Sequence, residues 1–220
     1  MLKAILFDLD GTLLDRDASL RAYAADQYDR TPAFHHVDKP VFVRRFLELD
    51  ERGYVWKDRV YQSLLHEFGV EGDWEALLAD YVTSFSRHCV GFSGLYEMLK
   101  HLRGKGLKLG IVTNGFTAFQ DGNIRALGLH AYFDDIVISE REGLRKPDPL
   151  IFDLALRRLG ARPEEALMIG DHAENDVQAA RQAGLGAIWK ENAYGEPPAD
   201  ADWTIRQLRE LAPIVDRLLP

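Results

Sequence analysis

At 220 residues, with 46% of them hydrophobic, the chain is long enough for a substantial core and too apolar to be disordered. Its formal net charge of -8 argues against nonspecific binding to nucleic acid or to an anionic membrane surface, and no apolar run approaches the roughly 18 residues of a membrane helix. Cys89 is the single cysteine, which excludes an internal disulfide and a thiolate zinc site and leaves a small core residue as its expected role.

The chain opens on Met1-Leu2-Lys3-Ala4-Ile5-Leu6-Phe7, an apolar run of strand length, and passes directly into Asp8-Leu9-Asp10-Gly11-Thr12. Alternate residues of a strand share a face, so Asp8 and Asp10 can project from its carboxyl end into one small volume that invites a cation. Gly11 has access to backbone conformations closed to other residues, which lets N–H groups approach a bound anion. With an acid as early as Asp8, the opening does not read as a secretory signal. Helical periodicity then covers residues 18–29, 40–51, 55–68 and 74–88, with breakers at Thr31-Pro32, at Gly53 and from Gly69 to Gly72. Residues 16–91 therefore read as an all-helical insert in a core of residues 1–15 and 92–220, and Gly91-Phe92-Ser93-Gly94 marks the return. Tyr54, Trp56, Tyr61, Trp74 and Phe85 read as the insert's own core.

Strands and helices alternate from there: helix 95–103, strand 107–112, helix 116–127, strand 136–138, helix 150–159, strand 166–169, helix 175–183 and strand 186–189. That order predicts an α/β fold, a Rossmann-like parallel sheet with helices on both faces, whose ligands bind outside the carboxyl ends of the strands. Three of those ends carry chemistry. Gly110-Ile111-Val112-Thr113-Asn114-Gly115 offers the Thr113 hydroxyl to a phosphoryl oxygen, with Asn114 as a backbone-shaping residue beside the phosphate. Lys146-Pro147-Asp148-Pro149 places an ammonium just before a helix entered by proline, where it can neutralise phosphoryl charge. Gly170-Asp171 ends the strand at 166–169, and Asp176 follows five residues later, where Glu174 or Asn175 could share its work. Those acids supply the second half of a metal site, and His172 between them reads as a loop residue. A phosphate ester is a dianion, so its attack by a carboxylate requires cationic charge on the non-bridging oxygens more than a strong base.

Taken together, these segments resemble the four signature motifs of the haloacid dehalogenase (HAD) superfamily in its phosphatase branch, and the likeness spans nearly the whole chain. The resemblance implies Asp8 as nucleophile, Asp10 as general acid and base, Thr113 and Asn114 at the phosphoryl group, and Lys146 holding its charge and orienting Asp8. It further implies Mg²⁺ among Asp8, the Asp10 backbone carbonyl and Asp171, with Asp176 in support. The insert becomes a cap that admits substrate and excludes water. His35, His36, Arg44, Arg45, Lys57 and Arg59 are its candidate contacts, although each taken singly reads as a solvated charge or a polar turn residue. Thr-Asn-Gly-Phe followed by Gln120, and Gly-Asp-His-Ala-Glu-Asn-Asp-Val, are similar to nucleotidase-like and N-acylneuraminate-phosphate-phosphatase-like members.

The expected protein is thus a cytoplasmic, Mg²⁺-dependent phosphatase of a small-molecule phosphate ester. Three readings compete with it. A sugar-phosphate mutase shares both acids of the first motif, whereas a haloacid dehalogenase attacks carbon and typically lacks the second. A phosphoaspartate signalling receiver carries its acceptor on a middle strand and has no large helical insert.

Overall fold

Four consecutive residues with no solvent exposure, Ala4–Phe7, form strand β1 in the computed structural model, which describes residues 1–219. Burial on both faces is characteristic of the interior of a parallel sheet. The chain separates into two units, one comprising Met1–Asp15 and residues from Gly91 onward, the other Arg16–Val90. The first unit is closed where the chain leaves and re-enters it: Leu14 bridges Gly91, and the Phe92 N–H donates to the Leu13 carbonyl at 3.0 Å.

The Arg16–Val90 unit is helical, with α1 (Arg16–Arg30), α2 (Lys39–Asp50), α3 (Lys57–Glu67) and α4 (Trp74–Ser84). Pro40 occupies the first turn of α2, where no N–H is needed, and the Asp73 carboxylate caps α4 by accepting from the Glu75 N–H at 2.9 Å. The helix expected to run to residue 88 stops at Ser84, because the chain tightens into a 3₁₀ turn over Phe85–His88. Aromatic rings fill the interior: Tyr23 meets Tyr81 edge-on at 5.2 Å between centroids, and Phe46 meets Tyr61 at 5.6 Å.

Tyr61 and Phe85 are buried as expected, whereas Trp74 is half-buried, Tyr54 is 71% exposed and Trp56 36% exposed. Tyr54 lies in the connection after the left-handed residues Glu51 and Arg52, and Trp56, at the start of α3, sets its ring edge-on to Tyr81 of α4 at 6.1 Å between centroids. Cys89 is half-buried and no core residue. Lys57 departs from expectation in the opposite sense. Its side chain is buried, with the ammonium on Asp50, and Arg16 donates to the same carboxylate at 2.7 and 3.0 Å. Burial alone would raise the Asp50 pKa, but the Arg16 hydrogen bonds and the Lys57 charge hold it below its ordinary value.

In the other unit β1 is joined by β2 (Lys108–Thr113), β3 (Asp135–Ile138), β4 (Ala166–Gly170), β5 (Gly186–Lys190) and β6 (Trp203–Ile205). All pairs are parallel and the order is β3-β2-β1-β4-β5-β6. The chain builds outward from β1 on one side and then on the other, so a crevice opens at the carboxyl end of β1, where such sheets bind ligands. Phe7 is in register with Ile111 and Ile169, and Asp8, Thr113 and Asp171 consequently emerge at one edge of the sheet.

The connecting helices are α5 (Leu95–Gly104), α6 (Thr117–Ala126), α7 (Ser139–Glu142), α8 (Pro149–Leu159), α9 (Ala179–Gln182) and α10 (Leu211–Leu218). Alternate strand residues Ala4, Leu6, Val112, Met168 and Ala187 pack with Ile151, Phe152 and Ala155 of α8, while Ile5, Phe7, Ile111 and Ile169 are buried on the opposite face. Strand β6 and helix α10 are absent from the sequence reading. The strand is only a Trp-Thr-Ile run, and Pro213 lies in the first turn of α10, where proline is tolerated.

Replacing Asp50 with alanine removes a buried counter-charge shared by Arg16 and Lys57, and is expected to destabilise the protein by about 3–5 kcal/mol in urea unfolding. A change below about 1 kcal/mol would contradict that role for the triad. Because the folded pKa of Asp50 lies below the unfolded value of about 3.9, its contribution is complete above that pH and is lost as pH falls through the lower folded value. The Asp50→Asn protein is expected to lose less stability than wild type across that acid range.

Candidate active site

Asp8 directly follows β1, its N–H donating to the Ile169 carbonyl of β4 at 2.9 Å. Lys146 enters from the segment before α8 and its Nζ donates at 2.6 Å to both Asp8 Oδ1 and Asp176 Oδ1. Burial would lower the lysine's pKa, but Asp176 and Asp8 hold it above its ordinary value and keep it an ammonium. The Asp8 carboxyl is raised, foremost by burial; Lys146 pulls it down while the charges of Asp176 and Asp171 push it up.

Asp171 follows β4 and is pushed up to about 7 by burial first and then by Asp176. Its position is enforced from two sides. Gly11 has φ +80 and a Cβ there would overlap the Asp171 carboxylate, so only glycine fits. Beyond β5, Asn192 Nδ2 donates to the Asp171 carbonyl at 2.9 Å and to Oδ2 at 3.3 Å, and Trp189 Nε1 donates to the same carbonyl at 3.0 Å. Asp176 lies in a π-helical turn, Ala173–Gln178, where an ordinary helix was expected. His172 caps that turn through Nδ1, and its own N–H donates to Asp176 Oδ2 at 3.0 Å.

Asp8, Asp171 and Asp176 each present a carboxylate oxygen within 4.8 Å of the others. Two of the three are buried and one is half-buried, and the Lys146 ammonium bridges Asp8 and Asp176, leaving excess negative charge when all three are ionised. A hard-oxygen donor set of this kind fits a divalent cation. Asp176, expected only in support, is one of the trio, whereas the Asp10 carboxylate stands outside it and accepts from Gln120 Nε2 at 2.7 Å. Thr113, at the end of β2, accepts from the same nitrogen at 2.9 Å, which leaves its own O–H to donate elsewhere. Asn114, expected at the phosphate, uses both sides of its amide on the Lys146 backbone: Nδ2 donates to the carbonyl and Oδ1 accepts from the N–H, each at 2.9 Å. Its side chain fixes the lysine-bearing segment, in keeping with the backbone-shaping role expected of it.

Sequence reasoning gave no structural role to Gln120 and passed over Trp189, Lys190 and Asn192. Lys190 is buried with its ammonium 3.5 Å over the Phe92 ring; burial lowers its pKa, and the charges of Asp171 and Asp15 oppose that. The rule that located the others, applied to the end of β5 beside β4, marks Lys190 as its last residue, whereas no comparable pattern marks Gln120 on α6 or Asn192 beyond the strand. In the helical unit, His35 and His36 bond to the carbonyls of Tyr28 and Phe68, Arg45 pairs with Glu67 and Glu48, and Lys57 with Asp50. Arg44 and Arg59 are exposed.

A parallel sheet whose carboxyl ends gather three acids, a buried lysine and an oriented threonine defines an α/β enzyme core suited to an anionic substrate. The chain belongs to the haloacid dehalogenase-like hydrolases, whose family model matches residues 2–184. It is 31% identical over 99% of both chains to a glyceraldehyde 3-phosphate phosphatase of Methanopyrus kandleri. It is also 38% identical to the pyrimidine 5'-nucleotidase YjjG of Escherichia coli, over 60% of this chain and 59% of that enzyme. Among solved structures, YfnB of Bacillus subtilis, bound to magnesium, superposes with a TM-score of 0.75 at 26% identity, covering 98% of this chain and 99% of that one.

Asn192 holds Asp171 from behind, so Asn192→Ala is expected to weaken divalent-cation affinity by about 10–100-fold in calorimetric titration without loss of fold. An unchanged affinity would refute this positioning.

Proposed function

We propose that this chain hydrolyses small-molecule phosphate monoesters through a phosphoaspartate on Asp8, with Mg²⁺ as its cofactor. The observation that carries the reading is the buried Lys146 ammonium joining Asp8 to Asp176 beside Asp171, at the carboxyl end of the central strand. Asp8, Asp171 and the Asp10 backbone carbonyl would hold the ion, with Asp176 beside them; their oxygens suit Mg²⁺, and the magnesium-bound YfnB structure favours it. When bound, Mg²⁺ supplies positive charge to the phosphoryl oxygens and to the nucleophile.

In the first step an Asp8 oxygen attacks phosphorus as the bond from phosphorus to the ester oxygen breaks, and Asp10 gives its proton to the departing oxygen. Lys146 and the Thr113 hydroxyl meet the phosphoryl oxygens, where negative charge is concentrated. In the second step water attacks the phosphoaspartate and gives its proton to the Asp10 carboxylate. The bond from phosphorus to the Asp8 oxygen breaks, which releases inorganic phosphate and restores the Asp8 carboxylate. Residues 16–91 act as the cap that selects the ester. Dehalogenation has no use for the second acid of the first motif, so Asp10 weighs against it. A mutase would return a rearranged sugar phosphate instead of free phosphate. A phosphate-release screen across metabolites, starting from pyrimidine nucleoside monophosphates and glyceraldehyde 3-phosphate with the Asp8→Asn protein as blank, tests the reading and identifies the substrate.

Asp8→Asn is expected to abolish turnover while the fold persists; residual activity within about tenfold of wild type would remove Asp8 from the nucleophile's role. Chelation with EDTA should stop turnover and Mg²⁺ should restore it, whereas Ca²⁺, with its larger and looser coordination, should not. Full turnover in metal-free buffer would favour dehalogenase-like chemistry. Asp10→Asn should slow turnover by about 10²–10⁴-fold while leaving Mg²⁺ affinity intact, as measured by steady-state rates and metal titration.

A further inference from the structure

We infer that Gln120 is a positioning residue for proton transfer, holding the Asp10 carboxylate in register with Thr113. The inference rests on the roles proposed above for those two residues. Gln120 lies on α6, is 2% exposed, and directs Nε2 at three oxygens: Asp10 Oδ2 at 2.7 Å, Thr113 Oγ1 at 2.9 Å and the Asn114 carbonyl at 3.1 Å. An amide nitrogen carries two hydrogens, so three acceptors must share them, and the shortest contact goes to Asp10.

The orientation of the amide is set independently of the site. Buried Asn123 donates from Nδ2 to Gln120 Oε1 at 3.3 Å, which turns the nitrogen toward the oxygens of the first and second motifs. Gly115 has φ +153, open to glycine, and a Cβ there would approach Gln120 Cγ to 2.8 Å and Nε2 to 3.0 Å. The backbone after Thr113 therefore passes directly against the Gln120 side chain and leaves it little room to swing away. A glutamine required only for packing would not need its amide fixed at both ends. What this arrangement fixes is the distance between the group that carries the proton and the hydroxyl that meets the phosphoryl oxygens.

If Gln120 acts through Asp10, its loss should matter most where the leaving group needs a proton. The test is rapid-quench measurement of phosphoenzyme formation with glycerol 2-phosphate and with p-nitrophenyl phosphate, in wild type, Gln120→Leu, Gln120→Glu, Asp10→Asn and the Gln120→Leu/Asp10→Asn double variant. Gln120→Glu keeps the shape and the acceptor for Asn123 but puts an acceptor where Asp10 needs a donor. Both Gln120 variants should slow the alkyl ester by about 10²-fold, the scale of loss for a catalytic group misplaced by about an ångström, and the aryl ester far less. In the Asp10→Asn background the leucine substitution should add little for either ester. Equal slowing of the two esters, an undiminished effect in that background, or failure of both single variants to fold would each overturn the inference. Should Asp10→Asn itself leave both esters unaffected, the acid–base reading of Asp10 fails instead, which separates the two outcomes.

Discussion

The Lys146 ammonium, buried between Asp8 and Asp176, is the interaction on which the rest of the site depends. Three carboxylates gathered within 4.8 Å in a largely buried crevice repel one another, and burial raises both Asp8 and Asp171. A cation fixed among them makes the cluster tenable and orients Asp8 at the same time. Much of the neighbouring detail serves to hold that cation. Asn114 grips the Lys146 backbone on both sides, linking the end of β2 to the segment before α8. The π-turn bends Asp176 back to the lysine, with His172 closing the turn. Phosphate chemistry then uses an electrostatic arrangement that the fold itself already requires.

The parts legible in the sequence were those in which a residue's chemistry and its place on a strand end coincided. Asp8, Thr113 and Asp171 each stand at the end of an apolar run, Lys146 stands just before a proline-led helix, and the parallel sheet gathers the strand ends as period and order predict. Asp176 was visible, but its entry into the trio depends on a π-turn for which the sequence offers no periodic signal. Asn114 was expected to shape the backbone beside Thr113; only the tertiary approach of Lys146 shows which backbone its amide holds. Gln120 and Asn192 were hidden for a related reason. A neutral amide carries no pattern of its own, and its meaning comes from which oxygens it reaches.

In the helical unit, residue type was a poor guide to environment. Lys57 is among its most buried side chains and Tyr54 among its most exposed. A lysine on a helix ordinarily remains in water, and what overrides that here is Asp50, with Arg16 sharing the same carboxylate. Such a cluster ties the start of α1 to the junction of α2 and α3, 34 residues further along the chain at Asp50. Its charge is therefore committed to holding helices together, which separates it from the exposed Arg44 and Arg59.

The pairing of Leu13 and Leu14 with Gly91 and Phe92 bears on how enzymes of this design diversify. Because the sheet unit itself secures both ends of the insertion, whatever is spliced between them is, to the sheet, a loop already closed. The entropy of closing a loop grows only with the logarithm of its length, by about 0.6 kcal/mol per doubling. The intervening sequence is thus free to lengthen, shrink or be replaced without renegotiating strand order or register. Rewriting the spliced segment therefore leaves the strand ends that carry Asp8, Thr113 and Asp171 in the register the sheet gives them.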